Sequence, residues 1–245
     1  MARRLLFVTA HPDDESMASG GTIARHVEAG IEVFVVCATR GGAGWTGRPQ
    51  GRRPEELPTI RAEELRCAAR TLGVSGVDVW DYPDGGVPSC DQTEITERIE
   101  AAIRGIAPAV VVGWGPDGGY GHTDHIAVGA CTDAALAATG VNGYHFTIDS
   151  EQAEAYRAGM RSAGLADEAL PIMAGGDPTI RFDLTEAEMA QRRQAVLCHD
   201  SQRSKPVDAV WVDPLPDIAA TVGRECYVRP GAAPQPGVRL FPELL

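Results

Sequence analysis

The sequence has no apolar run approaching the roughly 20 residues that a membrane-spanning helix needs, so no membrane span is expected. Positive charge is scarce: 22 Lys and Arg against 34 Asp and Glu leave a net charge of −12 over 245 residues. Nucleic-acid backbones reward clustered cations, which argues against a nucleic-acid partner. Aromatic residues are few, at 6%, leaving little to line a deep apolar acyl tunnel. The six cysteines (Cys37, Cys67, Cys90, Cys131, Cys198, Cys226) include no close pair resembling a thiolate metal site. Four of them fall in apolar or helical patterns and read as small core residues. A reducing cytoplasm fits and a disulfide framework does not, so any metal must be held by histidines and carboxylates. There is no repeat and no low-complexity tract. The Gly-x-Gly-x-x-Gly turn of a dinucleotide-binding oxidoreductase is missing after the first strand.

Hydrophobic residues make up 44% of the chain, enough for a sizeable core. The start, Met1-Ala2-Arg3-Arg4, is basic, but the apolar stretch after it is too short for a signal peptide. Residues 5–10 read instead as a buried first strand. Residues 16–29 read as a helix stopped by Gly30, 31–38 as a second strand, 60–72 as a helix and 77–80 as a third strand. A helical stripe over 95–106 leads to a fourth strand over 109–114. This βαβαβαβ alternation predicts an α/β fold with a Rossmann-like, doubly wound, mostly parallel sheet. The second half is less regular, with helices expected over 126–136, 151–161 and 185–199 and strands over 179–184 and 225–229. One domain is expected over 1–245, an α/β core over 1–140 carrying an irregular C-terminal elaboration over 141–245. The loop at 40–58, with Trp45, Arg48, Arg52 and Arg53, is long for a compact domain. Its cations suit the gathering of a polar substrate, on which Trp45 could stack; they equally suit a solvated surface loop.

Ligands of open α/β sheets bind beyond the C-terminal ends of the strands, where strand order reverses. For the order 3-2-1-4 that point lies between the first and fourth strands. His11-Pro12-Asp13-Asp14-Glu15 follows the first, and the segment from Gly115 to His125 follows the fourth. Two ligand-rich segments far apart in sequence are therefore expected side by side. Catalytic zinc takes three protein ligands and leaves one position for water. His11 and Asp14 can chelate one ion from a tight turn, with a third ligand from the neighbouring strand end. Adjacent residues on a helical turn face different ways, which frees Asp13 to act as general base on a water acidified by the metal to a pKa of about 7. A His-x-x-His pair supplies one ligand and a second imidazole to stabilise an oxyanion or protonate a leaving amine.

Ala10-His11-Pro12-Asp13-Asp14-Glu15, paired with His122-Thr123-Asp124-His125, closely resembles the LmbE-like, or PIG-L, deacetylases. Arg61-Ala62-Glu63-Glu64-Leu65, Leu72-Gly73-Val74, Tyr82-Pro83-Asp84-Gly85-Gly86 and His199-Asp200-Ser201-Gln202 extend the resemblance in the right order. It implies His11, Asp14 and His125 as zinc ligands, with iron or cobalt as other ions for the same set, and Asp13 as general base. It implies His122 as the group that stabilises the tetrahedral intermediate and Asp124 as its orienting partner. Arg61 and Asp84 fall where family members contact the sugar, and Tyr120 falls where a phenol reaches the oxyanion. The implied function is removal of the N-acetyl group from an N-acetylglucosamine-type substrate, a small polar N-acyl sugar, by a chain that a homo-oligomer would also accommodate. Ser16-Met17-Ala18-Ser19 only partly resembles the thiol-cofactor (mycothiol) branch.

Other readings compete. The Asp13-Asp14 pair could cap a helix, Arg61 could pair with Glu63 or Glu64 on a surface, Asp84 could merely form a turn, and Tyr120 could merely pack. His26 and His145 lack evident partners and read as structural; His199 has no derivable physical role beyond a helix end. Within the amidases, a mycothiol-type thiol-sugar conjugate or an N-acyl antibiotic sugar is a rival substrate. Outside them, two histidines and a carboxylate also suit a non-haem iron oxygenase, and an idle Asp13 would leave a sugar-binding protein.

Overall fold

The computed structural model describes residues 3–44 and 53–245. Trp45, Arg48 and Arg52 lie outside the described residues. Seven strands form one sheet in the order β3-β2-β1-β4-β5-β7-β6. They are β1 (Arg4–Thr9), β2 (Glu32–Thr39), β3 (Gly76–Tyr82), β4 (Val110–Trp114), β5 (Asn142–Thr147), β6 (Ile180–Asp183) and β7 (Arg224–Val228). The first five run parallel, β7 is antiparallel to β5, and β6 is antiparallel to β7. This is the mixed, mostly parallel α/β sheet expected, with helices on both sides.

β1 sits at the centre because its residues can be buried on both faces. Leu5, Leu6, Phe7 and Val8 are all fully buried, as a parallel strand covered by helices requires, and each such side chain contributes about 1.5–3 kcal/mol. One face is covered by α1 (Asp14–Glu28), α2 (Leu57–Leu72) and α7 (Glu186–Cys198), which pack against one another. The α3 (Gln92–Ile106) and α5 (Thr123–Thr139) helices form a separate packed pair. Between β4 and α5 lies the short kinked turn α4 (Gly118–Gly121), and α6 (Ser150–Ser162) follows β5. No helix among the described residues is long and apolar enough to cross a membrane.

Two features depart from the sequence reading. Residues 142–147 are a strand that the sequence did not announce, because Asn142-Gly143-Tyr144-His145-Phe146-Thr147 carries only two large apolar side chains. With β6 and β7 it continues the same sheet through the region expected to be irregular. The cysteine expectation is also corrected: Cys67 and Cys198, separated by 131 residues, are joined as a disulfide. Cys67 lies on α2 and Cys198 ends α7, two helices that pack side by side, and such a pairing leaves no trace in sequence spacing. The cysteines therefore do not argue for a reducing compartment. The other four are free thiols, three of them buried.

Candidate active site

The chain leaves β1 through a tight turn and enters α1 at Asp13. Asp13 is the N-cap, with φ 115° and ψ −26°, and its side chain makes no capping hydrogen bond. Non-glycine residues rarely occupy positive φ, and such backbone costs about 1–3 kcal/mol unless its surroundings hold it in place. The carboxylate points instead at Arg61, whose Nη2 lies 3.1 Å away. Asp14 saturates one oxygen locally: Oδ2 accepts the N–H groups of Ala10 and His11, each at 3.0 Å, and the indole N–H of Trp114 at 3.2 Å. Its Oδ1 stands 3.5 Å from Nε2 of His125.

The opposing wall comes from the β4–α5 connection. Gly118 and Gly119 have φ of 60° and 74°, and a Cβ on Gly119 would lie 2.9 Å from the Trp114 ring. Glycine is what lets this turn fold down onto the indole. His122 caps α5, its Nδ1 accepting the N–H of Asp124 at 3.2 Å, which leaves the ring proton on Nε2. His125 stacks on Trp114 with ring centroids 3.9 Å apart. Its Nδ1–H donates to the Gly118 carbonyl at 3.0 Å, so the Nε2 lone pair faces the site. A second polar group on the far ring nitrogen is how ligating imidazoles are usually oriented.

His11 joins the two walls. Its Nδ1 is 3.1 Å from His125 Nε2, and its Nε2 is 3.0 Å from Asp84 and 3.1 Å from Asp124. Donor atoms of His11, His122 and His125 lie within 4.8 Å of one another, as do those of His11, Asp84 and Asp124. Burial pulls the His11 imidazole down, but hydrogen bonds to Asp124 and Asp84 and the Asp14 charge carry it up to about 10. Burial and the neighbouring His11 and His122 charges hold His125 down at about 2. His122 is lowered by burial and by His11. Burial raises Asp13 to about 6 against the opposing pull of Arg61.

The structure thus brings His11, Asp13, Asp14, His122, Asp124 and His125 to one place, at the mouth between β1 and β4. Asp84 and Tyr120 also reach it. Asp84 Oδ2 accepts the Ala43 N–H at 2.8 Å while Oδ1 meets His11, and the Tyr120 ring stands edge-on to His122 and His125. Asp124 orients His122 through its main-chain N–H; its carboxylate goes to His11 and to the N–H groups of Gly85 and Val87. Arg61 is buried at 3% exposure rather than lying on a surface, and it donates to the carbonyls of Gly41 and Pro12 as well as to Asp13. Arg53 is turned outward onto Glu56.

His26 and His145 have partners after all. His26 donates Nδ1–H to the Thr22 carbonyl and accepts the Phe241 N–H at Nε2, and His145 pairs with Asp133. Sequence reasoning also missed Trp114, which supports both Asp14 and His125, and the pairing of Glu15 with His199, whose side chains meet at 2.8 Å. A tryptophan at the end of the fourth strand, abutting the glycine-rich segment, was the only signal for the first. Nothing in sequence marks a buried pair whose members are 184 positions apart.

Comparison with known proteins places the chain in a family. Residues 6–136 match the PIG-L family, described as GlcNAc-PI de-N-acetylase. The 1D-myo-inositol 2-acetamido-2-deoxy-alpha-D-glucopyranoside deacetylase of Mycolicibacterium vanbaalenii is 36% identical over 238 residues, covering 84% of this chain and 82% of that protein. The Kineococcus radiotolerans protein of the same name is 31% identical over 256 residues, covering 84% and 71%. Among solved structures, the N,N'-diacetylchitobiose deacetylase from Pyrococcus horikoshii superposes with a TM-score of 0.67 at 25% identity, covering 92% of this chain and 83% of that one.

Proposed function

Because the chain belongs to the PIG-L family, we propose that it is a metal-dependent hydrolase that removes the acetyl group from an N-acetylglucosamine-type glycoside. The observation that carries this reading is the meeting of three imidazoles with Asp13 and Asp14 at the ends of two neighbouring parallel strands. The relatives named above are a 1D-myo-inositol 2-acetamido-2-deoxy-alpha-D-glucopyranoside deacetylase and an N,N'-diacetylchitobiose deacetylase, which supports a substrate of this kind.

Donor atoms of His11, His122 and His125 lie close enough together to hold a divalent cation. His125 and His122 are held neutral, the form that ligates metals, and His125 turns its Nε2 lone pair toward His11 Nδ1 and Asp14 Oδ1. The carboxylates that favour a proton on His11 favour a divalent cation beside it in the same way. We assign His11, Asp14 and His125 as the holding set, the Oδ1 of Asp14 beside His125 Nε2 being its contribution, with zinc as the preferred ion and iron or cobalt as substitutes. When bound, such an ion polarises the amide carbonyl and acidifies a water molecule. Asp13 takes the proton of the attacking water at its carboxylate; burial, which lifts it to about 6, makes it a better base near neutrality than an ordinary aspartate. His122 carries its proton on Nε2, pointing it at the developing oxyanion, and Tyr120 lies beside it to do the same. Asp84, whose carboxylate lies between His11 and the Ala43 N–H, is the residue for a sugar hydroxyl.

Acetate release from a panel of N-acetylglucosaminides, a glucosaminyl-inositol among them, is the test. Release from at least one of them is expected, with Asp84→Ala raising KM. A long-chain N-acyl substrate turned over much faster than every N-acetyl sugar would remove the substrate assignment and leave the amidase chemistry standing.

A further inference from the structure

Asp13 holds an unfavourable backbone conformation, and its own side chain makes no capping hydrogen bond to it. The groups that do are underneath. Glu15 is fully buried and turns back along the chain so that Oε2 accepts the Asp13 N–H at 3.1 Å. Its Oε1 accepts from His199 Nε2 at 2.8 Å and from the Ser16 hydroxyl. His199 is fully buried too, and its Nδ1 has no hydrogen-bond partner among the described residues. Everything its ring offers therefore goes through Nε2 to Glu15, with Ser16 at 3.4 Å. The position of His199 is in turn fixed by the end of α7, where its N–H donates to Val196 and its carbonyl accepts from Gln202. On the other side of Asp13, Arg61 holds both the Pro12 carbonyl and the Asp13 carboxylate.

We propose that Glu15 and His199 are positioning residues for the reaction: a buried His199–Glu15 pair locks the Asp13 backbone in its left-handed turn and so aims the Asp13 carboxylate. Burying an ionisable pair has a desolvation cost that stability alone rarely recovers, whereas a misplacement of about 1 Å at a reacting group lowers turnover by about 10²-fold. The arrangement makes sense if the return is geometric. The proposal rests on Asp13 being the base, as proposed above.

The test is a double-mutant cycle on the full-length, metal-loaded chain, reading kcat, KM, metal content and thermal stability. Asp13→Ala alone must first lower kcat; if it does not, the reading of Asp13 as base fails, whatever His199 does. Given that loss, His199→Phe, which fills the volume without a donor, is expected to lower kcat about 10- to 10²-fold with KM and metal content unchanged. His199→Gln, which keeps a donor for Glu15, should recover most of that loss. In the Asp13→Ala background His199→Phe should cost nothing further in kcat, because there is no carboxylate left to aim. If His199→Phe does not fold, His199→Asn, too short to reach Glu15, takes its place in the same cycle. Equal fractional losses of kcat with and without Asp13, or a fall in thermal stability with kcat intact, would overturn the proposal.

Discussion

The N-terminal tip of α1 and the flank of the same helix are built from opposite materials. At the tip, residues 11–14 carry a strained backbone and an imidazole squeezed among carboxylates and the His125 ring. Along the flank, charge is buried but saturated. Arg25 is gripped by Glu188 at 2.6 and 2.7 Å, and Arg192 meets Glu225 at 3.2 Å. Glu225 also accepts the N–H groups of Gly21 and Thr22. The tip meets α2 and the β4–α5 connection and is backed by His199 at the end of α7, and the flank is supported by α7 and β7. Reactive groups can stay underused only where something else carries the stability, and here the second half does so.

That division predicts different consequences for damage at each end. The largest effects belong at the tip: His11→Ala, Asp14→Ala and His125→Ala should each lose bound metal and bring acetate release to background, which metal analysis and an end-point assay check. Full metal occupancy with normal turnover in all three would dissolve the distinction. Next, Asp13→Ala should keep the metal and lower kcat by about 10²- to 10⁴-fold, the usual contribution of a general base. If Asp13→Ala releases the metal while Asp14→Ala retains it, the two carboxylates exchange roles.

On the flank the signature should invert. Arg192→Met strands Glu225 without a cation in a site where both side chains are nearly inaccessible. Breaking such a pair costs about 3–5 kcal/mol, so denaturant unfolding should show a large loss while kcat of the folded protein stays put. A kcat that falls in step would mean that the flank is not a separate support.

A smaller, pH-driven effect falls on His26, on the same helix. Burial holds its imidazole down at about 4, and both ring nitrogens are committed, one as donor and one as acceptor. The unfolded chain takes up a proton near the ordinary histidine value of about 6.5, and the folded chain resists it until pH is near 4. Stability is therefore full above about pH 6.5, declines as pH falls through this window and levels off below it, by roughly 3 kcal/mol for this group. Unfolding midpoints measured from pH 7 to pH 4 should show that slope, and His26→Phe should flatten it. An unchanged slope in the variant would assign the acid sensitivity elsewhere.

The same contrast explains what could be read in advance. The tip was legible because its chemistry is compressed into short segments: His11 to Glu15 and His122 to His125 each follow a strand whose apolar run is plain, and strand order brings them together. The flank was not. His199 faces Glu15 only because α7 packs on α1, Arg192 reaches Glu225 across two elements, and Cys67 meets Cys198 between helices. None of these pairs has a local period or spacing to betray it. β5 escaped for a different reason, since Gly143 and the polar residues around it break the alternation of a strand covered by helices. Arg61 was placed correctly near the site by its motif, but its burial against Pro12 and Asp13 comes from the packing of α2, which no single segment encodes.

Whether the tip of α1 works as a metal-dependent deacetylase is decided by acetate release from an N-acetylglucosaminyl-inositol, measured on the chelator-stripped protein before and after zinc is returned. No release is expected from the stripped protein, with recovery on zinc at one ion per chain and none in Asp13→Ala despite the same zinc content. Equal release with and without metal, or full recovery in Asp13→Ala, would rule this chemistry out.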